Sequence, residues 1–196
     1  MDLLAHLDQR PIVVCVAGPN GAGKSTFYEA FLEDAGLRYV NADDLAKELD
    51  LDAYTAADVA DRLRREFVAR RESFIFETVF SDPVGAKVEF LEEATLSGFQ
   101  AVLIFIGLSA ANLSEQRVCI RASQGGHNVP TDKLVARYPR SIANLQRAIL
   151  RLPLVLVYDN SDLCSPYTPV AHFDRGTVVW RARKLPRWFP KKSRPR

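Results

Sequence analysis

One short glycine-rich stretch restricts the fold of this 196-residue chain more than any other feature. Residues 18–25 read Gly-Pro-Asn-Gly-Ala-Gly-Lys-Ser, which fits the pattern G-x-x-x-x-G-K-[ST] at every fixed position. The apolar run Ile12–Ala17 precedes it, and a helical pattern with Phe27 and Phe31 follows it. Glycines in such a turn let backbone N–H groups converge on a polyphosphate, and the helix N-terminus adds partial positive charge. The stretch therefore predicts a site for the phosphates of a nucleotide.

The side chains of this stretch have predictable roles. Lys24 is expected to reach the β- and γ-phosphates, and the Ser25 hydroxyl is expected to ligate Mg²⁺. Together with Thr26 and Arg117, the predicted nucleotide-binding residues are Gly18, Pro19, Asn20, Gly21, Ala22, Gly23, Lys24 and Ser25.

Apolar runs alternate with helical periodicities along the rest of the chain, which is typical of a parallel sheet with helices on both faces. Strands are predicted at 12–17, 38–40, 73–76, 102–106 and 154–158, and a closing hairpin at 170–173 and 177–180. The predicted fold is thus α/β, of the P-loop NTPase type: a doubly wound, mainly parallel five-stranded sheet with helices on both faces, plus a C-terminal hairpin. We expect helix starts at Thr55 and at Ser81-Asp82-Pro83, and a kink or restart at Pro139.

The charge layout divides the chain unevenly. Residues 181–196 contain eight Lys and Arg and no acid, so the net charge of +2 conceals an acidic body at −6. Apolar and aromatic residues at 185–190 are expected to dock on the body. We predict one P-loop domain over 1–190 and a basic, disordered tail over 191–196. Binding of nucleic acid by the tail is not favoured.

Three features predict a cytoplasmic protein with no membrane partner. No apolar run is long enough to cross a bilayer. The N-terminus lacks the basic region of a signal peptide. The three cysteines are odd in number and widely spaced, which favours free thiols in a reducing compartment.

A resemblance to the ABC-type ATPases is limited to the first motif. Leu96-Ser97-Gly98-Phe99-Gln100 imitates their LSGGQ signature, but it runs into the predicted strand at 102–106 instead of opening a helix. That strand ends in Gly107-Leu108, with no acidic residue to serve as a Walker-B aspartate. We therefore treat the imitation as chance.

Carboxylates follow two of the predicted strands. Asn41-Ala42-Asp43 comes after the second strand, and Glu77-Thr78 comes after the third. Ligands of such sheets bind at the carboxyl ends of the strands. We therefore predict that the molecule that accepts a phosphoryl group from the nucleotide is bound by Asn41, Asp43, Glu77 and Thr78. Asp43 is the candidate general base, and a helix cap is its alternative role. Glu77 could serve an acceptor hydroxyl, the Mg²⁺ shell or a structural ion pair.

During phosphoryl transfer, negative charge spreads over the oxygens of the transferred group, and cations stabilise it. Arginines of this sequence can supply those cations. Arg117 and Arg121 are four apart and share a helix face, a glycine-containing loop follows at 124–130, and Arg137 lies on the next helix. A loop of this kind between arginine-bearing helices is typical of a closing lid. Arg140 and Arg147 are interpreted as a solvated basic face, and His127 as a polar loop residue.

Taken together, these residues resemble the zeta-toxin family of P-loop kinases, in particular its short, stand-alone members. The matching segments occur in the family's order: AGPNGAGKST at 17–26, NADD at 41–44, FETVFS at 76–81, R-x-x-x-G-G-H-N-V-P at 121–130 and RYPRSIANL at 137–145.

The resemblance implies phosphorylation of a metabolite hydroxyl with ATP and Mg²⁺ as cofactors. In well-known zeta toxins the metabolite is UDP-N-acetylglucosamine, and the 3′-hydroxyl of its sugar is phosphorylated. The resemblance assigns catalytic roles to Lys24, Asp43, Arg121 and Arg137, and it implies a possible separate antitoxin. The alternatives are a polynucleotide 5′-hydroxyl kinase and a nucleotide-binding ATPase without a phosphoryl acceptor.

Overall fold

The structure follows the predicted alternation of strands and helices. It is a computed structural model that describes residues 7–123 and 130–190, apart from the side chains of residues 120–123. Its strands are β1 (Ile12–Ala17), β2 (Arg38–Val40), β3 (Phe74–Thr78), β4 (Gln100–Gly107), β5 (Leu154–Asp159), β6 (Thr168–Asp174) and β7 (Thr177–Arg181). Its helices are α1 (Lys24–Phe31), α2 (Ala42–Glu48), α3 (Ala53–Ala69), α4 (Ala86–Leu96), α5 (Ala111–Ser123) and α6 (Thr131–Arg151).

All seven strands form one sheet, in the order β2-β3-β1-β4-β5-β6-β7. Neighbouring strands from β2 to β5 are parallel, whereas β6 and β7 are antiparallel additions at one edge. The predicted α/β fold with its C-terminal hairpin is confirmed, and the hairpin extends the sheet. Gln100 begins β4 directly after the turn at Gly98, so the segment that imitates LSGGQ opens no helix.

Strand β1 shows why the sheet needs helices on both faces. All six of its residues are buried, and alternate side chains enter different hydrophobic clusters. Val13 and Cys15 pack on the side that receives α4 and α6, whereas Val14 and Val16 pack on the side of Phe27 from α1. A strand covered on both faces is continuously apolar, and this explains the run that preceded the glycine-rich turn.

Two helices begin at residues other than the predicted ones, each next to an aspartate whose carboxylate accepts backbone hydrogen bonds. Helix α3 begins at Ala53 because Asp52 accepts hydrogen bonds from the backbone N–H groups of Tyr54 (2.9 Å) and Thr55 (3.2 Å). Helix α4 begins at Ala86 instead of following Ser81-Asp82-Pro83. The carboxylate of Asp82 accepts from the N–H groups of Gly85 and Ala86, so this segment forms a turn ahead of the helix.

Helix α6 is continuous through Pro139, so the predicted restart is wrong. Pro139 is exposed, and the helix buries Leu134 before it and Leu145 after it. Packing of both halves keeps one helix, because tertiary contacts outweigh the hydrogen bond that proline removes.

The segment that follows β7 docks on the body, as expected for residues 185–190. Trp188 and Phe189 are buried in the cluster that contains Phe105 and Phe173. Residues 191–196, the predicted tail, lie outside the described part of the chain. All three cysteines are free. Within residues 7–123 and 130–190, the helices are too short or too polar to cross a membrane.

Asn144 of α6 secures the loop that follows β3. Its buried side chain donates hydrogen bonds to the carbonyl oxygens of Phe80 (3.0 Å) and Asp82 (2.8 Å), and its Oδ1 accepts one from Arg147 (2.8 Å). Ser141, one turn earlier, donates to the carbonyl oxygen of Val79 (2.6 Å). The loop therefore has a fixed position beside the carboxyl ends of the strands.

We expect Asn144→Ala to lower the free energy of unfolding by about 2 kcal/mol, because two buried carbonyl groups lose their donor. Urea denaturation followed by circular dichroism measures this loss. Val135→Ala, an exposed position of the same helix, is the control and should change stability by less than about 0.5 kcal/mol. Equal effects of the two substitutions would contradict the role of Asn144.

Candidate functional site

The glycine-rich turn joins β1 to α1 in a conformation that needs its glycines. Gly21 and Gly23 have φ angles of 70° and 84°, and a Cβ on Gly18 would lie 2.1 Å from the carbonyl oxygen of Ile106. Helix α1 begins at Lys24, so the turn ends at a helix N-terminus. All nine predicted nucleotide residues from 18 to 26 lie in this turn and in the first residues of α1, where N-terminal N–H groups favour an anion.

Side chains from behind the turn bind its carbonyl groups. Ser114 Oγ donates to the Asn20 oxygen (2.5 Å), Asn160 Nδ2 donates to the Ala22 oxygen (2.8 Å), and Tyr167 Oη donates to the Gly23 oxygen (2.9 Å). The shape of the turn is thus set by neighbouring elements without a ligand. Asn160 and Tyr167 were not among the predicted site residues, because their partners are backbone atoms more than 130 positions away.

Arg117, a predicted nucleotide contact, joins two segments of backbone. Its guanidinium donates to the carbonyl oxygens of Asn160 (2.8 Å), Ser161 (3.4 Å) and Gly21 (3.5 Å). It therefore lies beside the turn and connects it to the residues after β5.

The carboxylate of Glu77 is the centre of a network at the end of β3. Its Oε2 accepts hydrogen bonds from Ser25 Oγ (2.8 Å) and Tyr39 Oη (2.7 Å), and its Oε1 lies 3.6 Å from Nζ of the buried Lys24. Burial and the Glu77 carboxylate raise the pKa of Tyr39, so its hydroxyl keeps the proton that it donates. The ion pair that sequence analysis left open for Glu77 is thus present, and its partner is the lysine of the phosphate site.

Asp43 is not the cap of its helix. Asn41 is the N-cap of α2, and its Oδ1 accepts from the backbone N–H of Asp43 (2.9 Å). Asp43 lies in the first turn with its side chain exposed, and its carboxylate has no hydrogen bond or ion pair to any residue that the structure describes. The alternative role of Asp43 as a cap is wrong, and its carboxylate is available to a ligand.

A cavity of about 370 Å³ opens beside the phosphate site. Its floor comes from the ends of β3 and α2, and its far wall comes from α3 and α6. Among the predicted residues it brings together Asn20, Asn41, Asp43, Glu77, Thr78 and Arg137.

Of the two arginines with a predicted catalytic role, the structure describes the side chain of Arg137 but not that of Arg121. Arg137 lines the cavity from α6, and its guanidinium has no hydrogen bond or ion pair within residues 7–123 and 130–190. The backbone of Arg121 belongs to α5, but its side chain is outside the described part. The loop residues 124–129, His127 included, are also outside it. Arg140 and Arg147 are exposed, as predicted.

A cluster of charged side chains in the cavity wall, with Arg64 buried and Asp61 and Lys87 partly exposed, was missed by sequence analysis. Arg64 of α3 is only 5% exposed and Lys87 comes from α4, and both bind the Asp61 carboxylate, Lys87 at 2.5 Å. The Arg64 guanidinium also lies over the ring of Phe76, 5.0 Å from its centroid. Burial lowers the pKa of Arg64 to about 10 and that of Lys87 to about 8. Two cations thus share one carboxylate beside an open cavity.

The spacing of α3 contains a signal that could have indicated Arg64. Sequence analysis used Val59, Leu63 and Phe67 to recognise this helix, but the buried stripe is Ala56, Ala60 and Arg64. Ala56, Ala60 and Arg64 follow one another at intervals of four residues and therefore lie on the same face of the helix. The small side chains of Ala53, Ala57 and Ala60 line the cavity from this helix.

Comparison with solved structures finds several that share this fold. A chain of the AvrRxo1-ORF1:AvrRxo1-ORF2 complex, solved with sulphate ions, has a TM-score of 0.71 at 15% identity, and the match covers 90% of this chain. The chain spans only 62% of the length of that structure. The same complex solved with ATP gives a TM-score of 0.62.

Two further structures agree in fold. One, from a study of the PezAT chromosomal toxin–antitoxin system of Streptococcus pneumoniae, has a TM-score of 0.61 at 14% identity, covering 84% of this chain and 72% of that one. A candidate kinase from Chloroflexus aurantiacus has a TM-score of 0.53 at 21% identity, covering 78% and 90%. At these identities the likeness concerns the fold alone.

Comparison of sequences identifies the family. No curated protein matches the chain significantly. The family model described as Zeta toxin matches residues 3–168, which include the phosphate site, the carboxylates after β2 and β3, and Arg137. This range is well over half of the chain, and the chain therefore belongs to the zeta-toxin family.

Proposed function

We propose that residues 1–190 form a kinase domain that transfers the γ-phosphate of ATP to a hydroxyl group of a small, anionic metabolite. The observation that carries this proposal is the free carboxylate of Asp43 in the same cavity as Arg137 and the edge of the phosphate site. Phosphoryl transfer requires an acceptor hydroxyl, a carboxylate to orient it and cations for the developing charge. The cavity supplies the last two and has room for the first.

The nucleotide side of the reaction is assigned to the glycine-rich turn, Thr26 and Arg117. Lys24 would exchange its contact with Glu77 for the β- and γ-phosphates. The hydroxyl of Ser25 and the carboxylate of Glu77, 2.8 Å apart, are the hard oxygen donors that Mg²⁺ prefers, so the residues present fit this ion. When bound, Mg²⁺ neutralises charge on the phosphate oxygens. The Oδ1 of Asn20, in the glycine-rich turn, is buried without a partner among the described residues.

On the acceptor side, Asp43 would receive the hydroxyl proton while Asn41 holds the first turn of α2 in place. Arg137, and by the family resemblance Arg121, would stabilise the negative charge on the transferring group. Glu77 and Thr78 form the boundary between the two ligands and would contact the acceptor from the β3 end.

The charges of the cavity wall support an anionic acceptor. Arg64 and Lys87 share the single carboxylate of Asp61, and Lys133 lies at the cavity edge. The cavity as a whole is lined by four acids and four bases, so a phosphate or diphosphate group would bind locally, on the side formed by Arg64, Lys87 and Lys133. UDP-N-acetylglucosamine or a related UDP-sugar carries such a group together with free sugar hydroxyls, and it is our specific proposal for the acceptor.

A direct assay distinguishes the three candidate functions. The chain is incubated with γ-labelled ATP, Mg²⁺ and one of three additions: UDP-sugars, oligonucleotides with 5′-hydroxyl ends, or buffer. We expect labelled UDP-sugar, identified by mass spectrometry. Labelled oligonucleotide would replace our proposal with a polynucleotide kinase, and release of phosphate alone would replace it with an ATPase that lacks an acceptor.

We expect Asp43→Asn to reduce phosphate transfer by at least about 100-fold, because the amide cannot accept the hydroxyl proton. Binding of ADP should be unchanged, since Asp43 makes no contact with the glycine-rich turn. Initial rates and isothermal titration calorimetry measure the two quantities.

Asp44→Asn is the matched control for Asp43. It removes the neighbouring carboxylate on the same turn of α2, which does not line the cavity. Transfer by this variant should stay within about twofold of the unaltered chain. Normal transfer by Asp43→Asn would exclude Asp43 as the base.

The acceptor affinity should depend on pH through Lys87. The titratable groups that face this amine are those of Asp61, Asp82, Arg64, Arg65 and Cys15. Burial of the amine, together with the charge of Arg64, lowers its pKa to about 8. Below pH 8 Lys87 is a cation that attracts the acceptor anion, and above pH 8 this attraction is lost. We expect the KM for the acceptor to rise about tenfold between pH 7 and pH 9, as for the loss of one charged contact.

Lys87→Arg provides the control, because its guanidinium stays protonated over this range. The rise in KM near pH 8 should disappear in this variant. If the variant keeps the same pH profile, Lys87 does not bind the acceptor anion.

A separate antitoxin is proposed as the protein partner of this chain. The support is family membership and the likeness in fold to a structure from the PezAT toxin–antitoxin system.

A further inference from the structure

We propose that Trp188, in the C-terminal segment, is a positioning residue for the nucleotide-binding turn. This inference depends on the proposed function only in that the turn binds a nucleotide. The family model ends at residue 168, so Trp188 lies outside the family pattern. Its contacts nevertheless reach the residues that hold the turn.

Trp188 fills a space that a single glycine leaves open. A Cβ on Gly107, the last residue of β4, would lie 2.1 Å from Cζ2 of the indole. The ring centroid lies 6.0 Å from that of Phe105, and the residue is 7% exposed. The indole thus lies directly on the carboxyl ends of the central strands, close to where β1 enters the turn.

The indole N–H makes a specific polar contact. Nε1 of Trp188 donates to Oδ1 of Asp159 (3.1 Å), the last residue of β5. The same oxygen accepts from the backbone N–H of Ser161 (3.2 Å) and from its hydroxyl. One carboxylate oxygen therefore orders the 159–161 turn and binds the C-terminal segment to it.

The 159–161 turn in turn holds the phosphate site. The backbone N–H of Asn160 donates to the Gly107 oxygen (3.0 Å), and its Nδ2 donates to the Ala22 oxygen (2.8 Å). Arg117 binds the carbonyl groups of Asn160 and Ser161. Only Asp159 and Asn160 separate Trp188 from the glycine-rich turn, so loss of the indole N–H should loosen that turn without changing the acceptor cavity.

The test compares Trp188→Phe with the unaltered chain in calorimetric titration with ADP. We expect ADP binding to weaken about fivefold. The variant loses one hydrogen bond to a charged group, and only part of that loss in free energy reaches the nucleotide-binding turn. In the transfer assay the KM for ATP should rise similarly, while kcat at saturating ATP stays within about twofold. Unchanged affinity in a folded Trp188→Phe protein would overturn the inference.

Phe189→Leu separates positioning from general docking of the segment. Phe189 packs on Phe173 and on Trp188, with ring centroids 6.4 and 6.1 Å apart, and its apolar ring makes no hydrogen bond to Asp159. This variant should lose stability and keep its ADP affinity. An equal loss of ADP affinity in Phe189→Leu would assign the effect to docking and would overturn the role of the indole N–H.

Asp159→Asn keeps the test decisive if Trp188→Phe does not fold. It weakens the acceptor of the same hydrogen bond, and we expect about a threefold loss of ADP affinity. Unchanged affinity there would overturn the inference. Failure of the unaltered chain to bind ADP would overturn the proposed function as well, whereas binding of ADP with no effect of these substitutions would overturn the inference alone.

Discussion

The rest of the site depends on the ion pair and the hydrogen bonds that the Glu77 carboxylate makes. A carboxylate at the end of a buried strand is costly unless charges and donors surround it. Register places Glu77 beside Val16 of β1, and Lys24, Ser25 and Tyr39 supply the partners. The strand end that carries this charge thereby connects the phosphate site to the acceptor cavity.

The cavity exists because neighbouring elements are held apart there. Small side chains of α3 leave space, and the buried Asn144 and Ser141 of α6 bind the loop 79–82 that forms one wall. Arg64 and Lys87 remain in this wall since Asp61 and the face of Phe76 compensate their burial. The same contacts that stabilise the fold thus leave cations beside an open space.

The C-terminal charge asymmetry has a different meaning in the folded protein. Residues 185–190 are attached to the hydrophobic core by the buried side chains of Trp188 and Phe189. The basic residues around them are exposed, as at Arg181, Arg183, Lys184 and Arg187. The segment therefore combines a buried aromatic contact with a basic surface.

The sequence by itself determined the α/β class and the place of the glycine-rich turn, and it predicted the phosphate site and the candidate carboxylates. These depend on local signals: apolar runs of strand length, glycines at fixed spacing, and residues directly after strands. Only the tertiary structure decided that Asn41 and not Asp43 caps α2, that α6 continues through Pro139, and that Arg64 and Lys87 lie in the cavity. Those outcomes depend on packing between elements far apart in the chain, where a local pattern carries no information about its partner.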